Sequence, residues 1–298
     1  MTKVNDLKKA QKRSEKFRSV ILTIYCPDQK GIVADVTNYL FNNNGNILYL
    51  DQHVDDYEKI FFMRIEWDLD GFRIPVDQIS TDFHSIAEKF NMCWKMFFSW
   101  EKPKMAIFVS RLSHCLDDIL ARYNSGEWVI EIPLIISNHP DLKSTAEKFN
   151  ISFHCFPNDD DSSKREREEI LLLERSDIDI IILARYMQIL SDDFVKRFEN
   201  RIINIHHSFL PAFPGSKPYH SAFERGVKVI GATSHYVTSE LDAGPIIEQD
   251  VTHITHRDSV QDMIRKGRDL EKIVLSRAIY AHLTRKIMVY KNKTVVFS

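Results

Sequence analysis

Glycine is scarce in this sequence, with nine among 298 residues, and no two glycines are separated by a single residue. The dinucleotide-binding pattern G-x-G-x-x-G and the P-loop pattern G-x-x-x-x-G-K-[ST] are therefore both absent. Both patterns let the backbone approach phosphate groups closely. An α/β enzyme with this sequence would not hold a dinucleotide or a nucleoside triphosphate in either of these two ways.

Cysteine pairs, long apolar runs and an excess of one charge are also missing. The four cysteines form no C-x-x-C pair, which favours free thiols in a reducing cytosol. No apolar run approaches the roughly 20 residues of a membrane span. Lys plus Arg total 40 and Asp plus Glu total 42, so we expect neither nucleic acid nor a membrane as partner. Residues 1–17 predict a flexible basic lead-in without a secretory core, and hence a cytoplasmic protein.

Residues 18–101 predict a ferredoxin-like domain. A β-branched run at 19–25 is followed by apolar residues at helical spacing, which end before a polar stretch at 42–45. The pattern then predicts two strands, a helix and a last strand, at 46–54, 60–68, 77–90 and 92–100. The resulting order is βαββαβ.

Residues 102–298 predict a second domain of α/β type. Short apolar strands alternate with helices, which is typical of a mostly parallel sheet covered on both faces. The predicted strands lie at 105–110, 128–137, 151–156, 178–184, 201–205, 229–238, 245–251 and 294–297. The predicted helices lie at 115–123, 141–149, 163–175, 191–199 and 259–283.

Polar residues concentrate where an active site would lie, at the carboxyl end of a predicted strand. Asn204 and His206 end one strand, and Asp242 lies in a later loop. An amide and an imidazole can stabilise an oxyanion while a carboxylate takes a proton from the attacking group, so the set suits an acyl-type reaction. From the residues alone, a polar strand end capped by side-chain hydrogen bonds stays an open interpretation.

Other catalytic patterns fit the sequence less well. A serine nucleophile would need a G-x-S-x-G turn, which is absent, and no cysteine lies beside these histidines. Four histidines are candidate zinc ligands, namely His206, His207, His220 and His235. Adjacent histidines on a strand point to opposite faces, and H-E-x-x-H is absent, so we expect no metal and no cofactor.

Several long motifs resemble the folate-dependent formyltransferase family, and together they extend from about Val20 to Phe297. They are Cys26–Val33, Ser137–His139, Leu183–Leu190, Ile202–Phe213 and Ile230–Gln249. Within that family the chain is most similar to the formyltetrahydrofolate deformylases. Their N-terminal unit is an ACT domain of βαββαβ order, which agrees with the order read independently from the sequence.

The resemblance implies hydrolysis of 10-formyltetrahydrofolate to tetrahydrofolate and formate, which balances the one-carbon folate pool and supplies formate for purine biosynthesis. At the matching positions, Asn204 would donate to the formyl oxygen. His206 would stabilise the tetrahedral intermediate and help to protonate the leaving nitrogen, while Asp242 would orient water and accept its proton. His235 matches a supporting position near the carboxylate. The family's folate-binding loop corresponds to Met187, Gln188, Ile189 and Leu190, so folate is the substrate rather than a cofactor.

An amine-accepting transferase, such as glycinamide ribonucleotide transformylase, is the alternative within the family. Such an enzyme holds a phosphate with a Gly/Ser-rich turn after the first strand of the domain. The corresponding turn at 109–115 contains no glycine, although Arg111 leaves anion binding open. His207 stands where glycinamide ribonucleotide transformylase and methionyl-tRNA formyltransferase, two transferases of the family, commonly have proline. Pro214–Lys217 departs from the expected deformylase loop. Water is the acceptor that we expect.

Asp28, Lys30 and Gly31 lie where ACT domains often bind an amino acid, at the start of the first predicted helix. The resemblance therefore implies an amino-acid effector, held in part by the helix N-terminus, and a homo-oligomer. An ordinary strand-to-helix turn that supports dimerisation only is the other interpretation. A binding module joined to an inactive catalytic domain is the non-enzyme alternative, against which the complete match at the three catalytic positions argues.

Overall fold

The computed structural model describes residues 18–157, 162–212 and 218–298. These residues form two compact units, one of residues 18–101 with 295–298 and one of residues 102–294. The predicted lead-in at 1–17 and the departing loop at 214–217 lie outside the described residues.

The first unit is a four-stranded antiparallel sheet with two helices. In chain order its elements are β1 (Ser19–Pro27), α1 (Ile32–Asn42), β2 (Asn46–Asp55), β3 (Ile60–Asp68), α2 (Ile79–Lys89) and β4 (Cys93–Phe98). The spatial order of the strands is β2-β3-β1-β4, and β1 pairs with both β3 and β4. The predicted ferredoxin-like βαββαβ order is confirmed.

Apolar spacing explains the helices of this unit. In α1 the buried residues recur at helical spacing, and they are Ile32, Val36, Tyr39 and Leu40. They pack in one core with the inward-facing residues of β1 and β3, such as Leu22 and Met63. Gly31 precedes the helix with φ of 100°, a left-handed conformation that glycine adopts without steric cost.

The second unit is built on a seven-stranded sheet with the spatial order β11-β10-β9-β8-β5-β6-β7. Its strands are β5 (Lys104–Val109), β6 (Glu131–Ser137), β7 (Ser152–Cys155), β8 (Ile180–Ala184), β9 (Ile202–His206), β10 (Val229–Tyr236) and β11 (Ile246–His253). The strands from β5 to β9 are parallel, whereas β10 is antiparallel to both of its neighbours. The predicted mostly parallel α/β sheet is confirmed.

Helices cover both faces of this sheet. They are α3 (His114–Ser125), α4 (Lys143–Lys148), α5 (Ser162–Arg175), α6 (Asp192–Arg197), α7 (Pro218–Arg225) and α8 (Val260–Leu283). On one face Ile107 and Ile182 pack in a core with α3 and α8, and on the other face Phe108 and Ile181 pack with α5 and α6. Since both faces are buried, the central strands are apolar throughout rather than alternating.

Two elements of the second half of the chain were not predicted. The first is α7, an eight-residue helix that begins at a proline within a stretch that reads as an irregular loop. The second is β12 (Ile287–Tyr290), which forms a hairpin with β13 (Lys293–Val296). The turn of the hairpin depends on Lys291, which has a left-handed conformation with φ of 52°.

The chain order reverses between β5 and β8, since β6 and β7 lie on one side of β5 and β8 to β10 lie on the other. Such a reversal leaves a crevice at the carboxyl ends of the strands, where ligands bind in open α/β sheets. Within the described ranges, no helix combines the length and the apolar character that crossing a membrane requires.

We predict that Gly267→Ala destabilises the second unit although alanine normally stabilises a helix interior by about 1 kcal/mol. A Cβ at Gly267, on α8, would lie 2.0 Å from the hydroxyl oxygen of the buried Tyr219. We expect the free energy of unfolding to fall by about 1–3 kcal/mol, as is usual for overpacking. Denaturant unfolding measures this, with the exposed Gln261→Ala on the same helix as control. A more stable Gly267→Ala variant would show that the ring of Tyr219 moves aside freely.

Candidate active site

Four residues that the sequence singled out come together in the structure. Asn204 and His206 lie on β9, and their spacing of two places both side chains on one face of the sheet. The antiparallel pairing of β10 with β9 brings His235 opposite Asn204. Asp242 lies in the connection between β10 and β11. Four residues distant in sequence therefore meet at one end of β9.

The carboxylate of Asp242 contacts both imidazoles. His206 Nδ1 lies 3.3 Å from Asp242 Oδ2, and His235 Nε2 lies 3.7 Å from Oδ1. Both imidazoles are buried, whereas the carboxylate is 21% exposed. Hydrogen bonds from His206 and then from His235 hold the pKa of Asp242 well below its usual range, although burial acts in the opposite direction. The carboxylate is therefore ionised at neutral pH.

The hydrogen-bond partners determine which ring nitrogens carry protons. An ionised Asp242 can only accept, so Nδ1 of His206 is the donor of their hydrogen bond. Nδ1 of His235 lies 2.9 Å from the Tyr236 carbonyl oxygen, which is also only an acceptor. Nε2 of His235 lies 3.3 Å from Asn204 Nδ2 and 3.7 Å from Asp242 Oδ1, so this imidazole lies between the amide and the carboxylate.

The other nitrogen of His206 is the most informative atom of the site. Nε2 is buried and has no hydrogen-bond partner among the described residues. Buried polar atoms in native proteins nearly always have partners, and an exception calls for an explanation. An imidazole that is held by a carboxylate on one side and is open on the other can accept and return a proton. A substrate carbonyl beside the Asn204 amide would complete an acyl-transfer site.

Glycine shapes the connection that carries Asp242. Asp242 itself has φ of 55°, in the left-handed region. A Cβ on Gly244 would lie 1.8 Å from the carbonyl oxygen of Tyr236, so only glycine allows this approach of the loop to β10. The Tyr236 amide donates to the Pro245 carbonyl oxygen at 2.9 Å, which closes the approach. The close approach of the loop to β10 thus explains why Gly244 and Pro245 follow Asp242 in the sequence.

A cavity of about 270 Å³ lies at the carboxyl ends of β5, β6 and β8, where the chain order reverses. It is lined by Ser110, Arg111, Leu112, Asn138, His139, Arg185, Met187 and Gln188. Within the part of the chain that the structure describes, the lining contains two guanidinium groups and no carboxylate. Three of the lining residues were not predicted as site residues, namely Ser110, Asn138 and Arg185. Each is the first residue after a strand of the parallel sheet, and this position is the signal that would have found them.

The predicted folate-binding residues follow β8, and two of them also line this cavity. The side chains of Met187 and Ile189 are 54% and 73% exposed, which is unusual for apolar residues beside a crevice. Met187 already uses its backbone amide in a hydrogen bond from N to Ser110 Oγ at 3.2 Å. Its carbonyl oxygen accepts from Gln188 Nε2 at 2.9 Å. The backbone amide of Met187 is therefore already bonded, while its side chain is exposed toward a ligand.

One group of possible metal ligands lies close together in the described part of the chain, namely His114, Cys115 and Glu271. The carboxylate of Glu271 already accepts from His114 Nε2 at 2.8 Å and from the Tyr219 hydroxyl at 2.9 Å. The Arg185 guanidinium lies 3.6 Å from the same carboxylate and would repel a metal cation. We therefore interpret the group as an internal ion-pair network.

The predicted effector residues lie together in the first unit. Asp28, Lys30 and Gly31 are exposed and occupy the turn before α1. The first turn of α1 has no side-chain cap, and the amide of Asp28 donates to the Lys59 carbonyl oxygen at 2.9 Å. The exposed residues of the turn are compatible both with binding of an effector and with an ordinary strand-to-helix turn that binds nothing.

A second buried carboxylate lies behind the loop that follows β8. Glu169 on α5 is 1% exposed; its Oε1 accepts from the Tyr186 hydroxyl at 3.4 Å and lies 4.0 Å from Arg165 Nε. Burial raises the pKa of Glu169 to about 7. Tyr186 directly precedes Met187, so this carboxylate helps to hold the loop from its buried side.

Comparison with known proteins places both units in families. The formyl transferase family matches residues 103–279, and the ACT domain family matches residues 20–87. A formyltetrahydrofolate deformylase of Synechocystis sp. is 54% identical over 93% of this chain and 98% of its own length. The crystal structure of a formyltetrahydrofolate deformylase from Pseudomonas syringae pv. tomato has a TM-score of 0.93 at 45% identity, covering 98% of this chain and 100% of its own. A glycinamide ribonucleotide transformylase of Symbiobacterium toebii is more distant, with a TM-score of 0.64 at 26% identity over 68% of this chain and 97% of its own.

We predict a stability difference that depends on pH for Glu169→Gln. Between about pH 4.5 and pH 7 the folded protein holds a proton on Glu169 that the unfolded chain has lost, so the free energy of unfolding of the natural protein falls across this window. The variant lacks this loss, and its unfolding free energy relative to the natural protein should rise by up to about 3 kcal/mol from pH 4.5 to pH 8. Urea unfolding at several pH values measures the difference.

The matched control is Glu168→Gln, an exposed carboxylate on the same helix, for which the difference should stay near zero at every pH. A difference for Glu169→Gln that is constant with pH would mean that Glu169 titrates alike in the folded and unfolded chains.

Proposed function

Because this chain belongs to the formyltetrahydrofolate deformylase family, we propose that it hydrolyses 10-formyltetrahydrofolate to tetrahydrofolate and formate. The observation that carries this proposal is the buried, unpartnered Nε2 of His206, whose ring contacts Asp242 through Nδ1 and lies on the same face of β9 as Asn204. Folate is the substrate, and no resident metal or cofactor is part of the proposal. The products supply formate and return tetrahydrofolate to the one-carbon pool, which serves purine biosynthesis.

The side chains suffice for an acyl-type hydrolysis. The Asn204 amide donates to the formyl oxygen and stabilises the negative charge that develops there. Water attacks the formyl carbon, and its proton passes to Nε2 of His206. The C–N bond then breaks, and His206 returns the proton to the leaving nitrogen. Asp242 stabilises the imidazolium that forms between these two steps, while His235 fixes the Asn204 amide and the carboxylate.

This mechanism assigns the proton differently from the expectation drawn from the resemblance. That expectation made Asp242 the acceptor of the proton from water. Hydrogen bonds from two imidazoles lower the pKa of Asp242, and a carboxylate with a lowered pKa is a weaker base. We therefore place the proton on the coupled His206–Asp242 pair, through Nε2 of His206, and give Asp242 an orienting and charge-stabilising role.

We propose that the folate contacts Met187, Gln188, Ile189 and Leu190. Two observations support this: the exposed apolar side chains of Met187 and Ile189, and the position of the loop at the reversal of chain order. An apolar slot with few polar contacts is the usual character of a site for a flat aromatic ligand. Among the described residues, the adjoining cavity is lined by two guanidinium groups and by no carboxylate, which suits an anionic group of a ligand.

We predict that Asp242→Asn lowers the rate of formate release by at least about a hundredfold. The amide cannot stabilise the imidazolium form of His206, which the reaction needs between its two steps. The measurement is formate release from 10-formyltetrahydrofolate by the purified protein, with no added amine. The matched control is Asp193→Asn, an exposed carboxylate on α6 that is 80% exposed and should leave the rate unchanged.

The outcomes of this assay separate the candidate functions. Formate release that is lost only in Asp242→Asn supports the deformylase. No formate from folded protein, followed by turnover when glycinamide ribonucleotide is supplied, would instead make the protein a transferase. Full activity in Asp242→Asn would remove Asp242 from the mechanism.

We further propose that the turn of Asp28, Lys30 and Gly31 binds an amino-acid effector. Support comes from the match to the ACT domain family and from the uncapped first turn of α1, whose backbone amides suit a carboxylate. We expect at least one of the twenty amino acids to change the formate rate or to raise the thermal midpoint of the natural protein, and expect this response to be lost in Asp28→Ala. If none of the twenty amino acids gave a response, the effector proposal would be wrong and the turn would only connect β1 to α1.

The remaining sequence-based expectations join this proposal. The proposed functional limits are 18–101 for the ACT domain and 102–298 for the catalytic domain, and the matched ranges 20–87 and 103–279 support them. Homo-oligomeric assembly and a cytoplasmic location stay predictions from the sequence.

A further inference from the structure

Glu271 is a buried carboxylate that the proposed mechanism does not use. It lies in the middle of α8 and is 1% exposed. Its oxygens accept from His114, the first residue of α3, and from Tyr219 on α7. The hydrogen bond from His114 and the charge of Arg185 lower its pKa, although burial acts to raise it. An ionised carboxylate in this position needs a fixed positive partner.

Arg185 is that partner, and its backbone is unusual. Nε of Arg185 lies 3.6 Å from Glu271 Oε2, and only 12% of the side chain is exposed. Arg185 has φ of 63°, a left-handed conformation that a residue with a long side chain seldom adopts. Such a conformation costs free energy and persists only where other interactions hold it. The ion pair with Glu271 is an interaction of this kind.

The two residues that precede the proposed folate-binding loop are anchored on opposite faces of the sheet. Arg185 reaches Glu271 on α8, which packs on one face together with Ile182. Tyr186 reaches Glu169 on α5, which packs on the other face. Because the backbone turns at Arg185 to allow both contacts, the direction in which the chain enters Met187 depends on both anchors.

We propose that Glu271 is a positioning residue for the folate-binding loop and acts through Arg185. The proposal rests on the proposed function, since it takes residues 187–190 as the folate contact. With its charge removed, Glu271 no longer balances the Arg185 guanidinium, which would move toward the adjoining cavity where water can solvate it. Arg185 would then leave its left-handed backbone conformation, and residues 187–190 would no longer have the conformation that binds the folate. The reacting atoms at His206 and Asp242 would stay in place.

The test compares KM with kcat in Glu271→Gln, which keeps the size of the side chain and removes its charge. We expect KM for 10-formyltetrahydrofolate to rise about tenfold, kcat to stay within about twofold, and the dissociation constant of tetrahydrofolate to rise in parallel with KM. Arg185→Gln should give the same pattern. The double variant should be no worse than the weaker-binding single variant, because both changes break one interaction.

The matched control for helix stability is Ser259→Ala. Ser259 begins α8 in a capping box with Asp262, so its removal should destabilise the same helix by about 1 kcal/mol without touching the loop. We expect its KM to equal that of the natural protein. If Ser259→Ala raised KM as much as Glu271→Gln, a loss of stability would explain both variants and the proposal would be wrong.

The remaining outcomes are also decisive. A fall in kcat at unchanged KM in Glu271→Gln, or additive effects in the double variant, would overturn the positioning role. A natural protein that neither turns over 10-formyltetrahydrofolate nor binds tetrahydrofolate would overturn the proposed function, and the positioning role with it. Turnover in the natural protein with an unchanged Glu271→Gln would overturn only the positioning role.

Discussion

The candidate site depends on one interaction, the contact of the Asp242 carboxylate with two imidazoles. This contact keeps the carboxylate ionised, fixes the proton on Nδ1 of His206 and leaves Nε2 open. It also requires that three backbone segments meet: the end of β9, the antiparallel β10 and the loop that Gly244 brings against β10. Much of the unusual geometry of the second unit can be understood as support for this arrangement.

The fold could be read from the sequence because its signals are periodic and local. The βαββαβ order of the first unit follows from alternating strands and helical spacing, and the parallel sheet follows from apolar strands that are buried on both faces. The short helix α7 was missed because it begins at a proline within a stretch that reads as an irregular loop, and the four-residue strand β12 was missed as well. In α7 the consequence is notable, because Tyr219 is one of the hydrogen-bond donors to the buried Glu271.

Asn204, His206 and Asp242 were predicted as site residues because an amide, an imidazole and a carboxylate suggest acyl chemistry, and His235 was predicted from the family resemblance. The structure brings the four residues together, and their catalytic roles stay a proposal. The sequence does not show that two imidazoles contact one carboxylate, and the proposed path of the proton depends on this contact. The pairing of Arg185 with Glu271 was invisible for a similar reason, because the chain from β9 to the middle of α8 separates the two residues and leaves no local pattern.

The direction of β10 has a consequence for how this protein can tolerate change. β10 runs opposite to β9, so it ends beside Ile203 rather than beside His206, and the connection to β11 must fold back to bring Asp242 to the imidazole. The length of the chain between Tyr236 and Ile246 is therefore a structural requirement for the contact between Asp242 and His206. A deletion in this connection would keep all four candidate side chains in the sequence and would still change the position of the carboxylate.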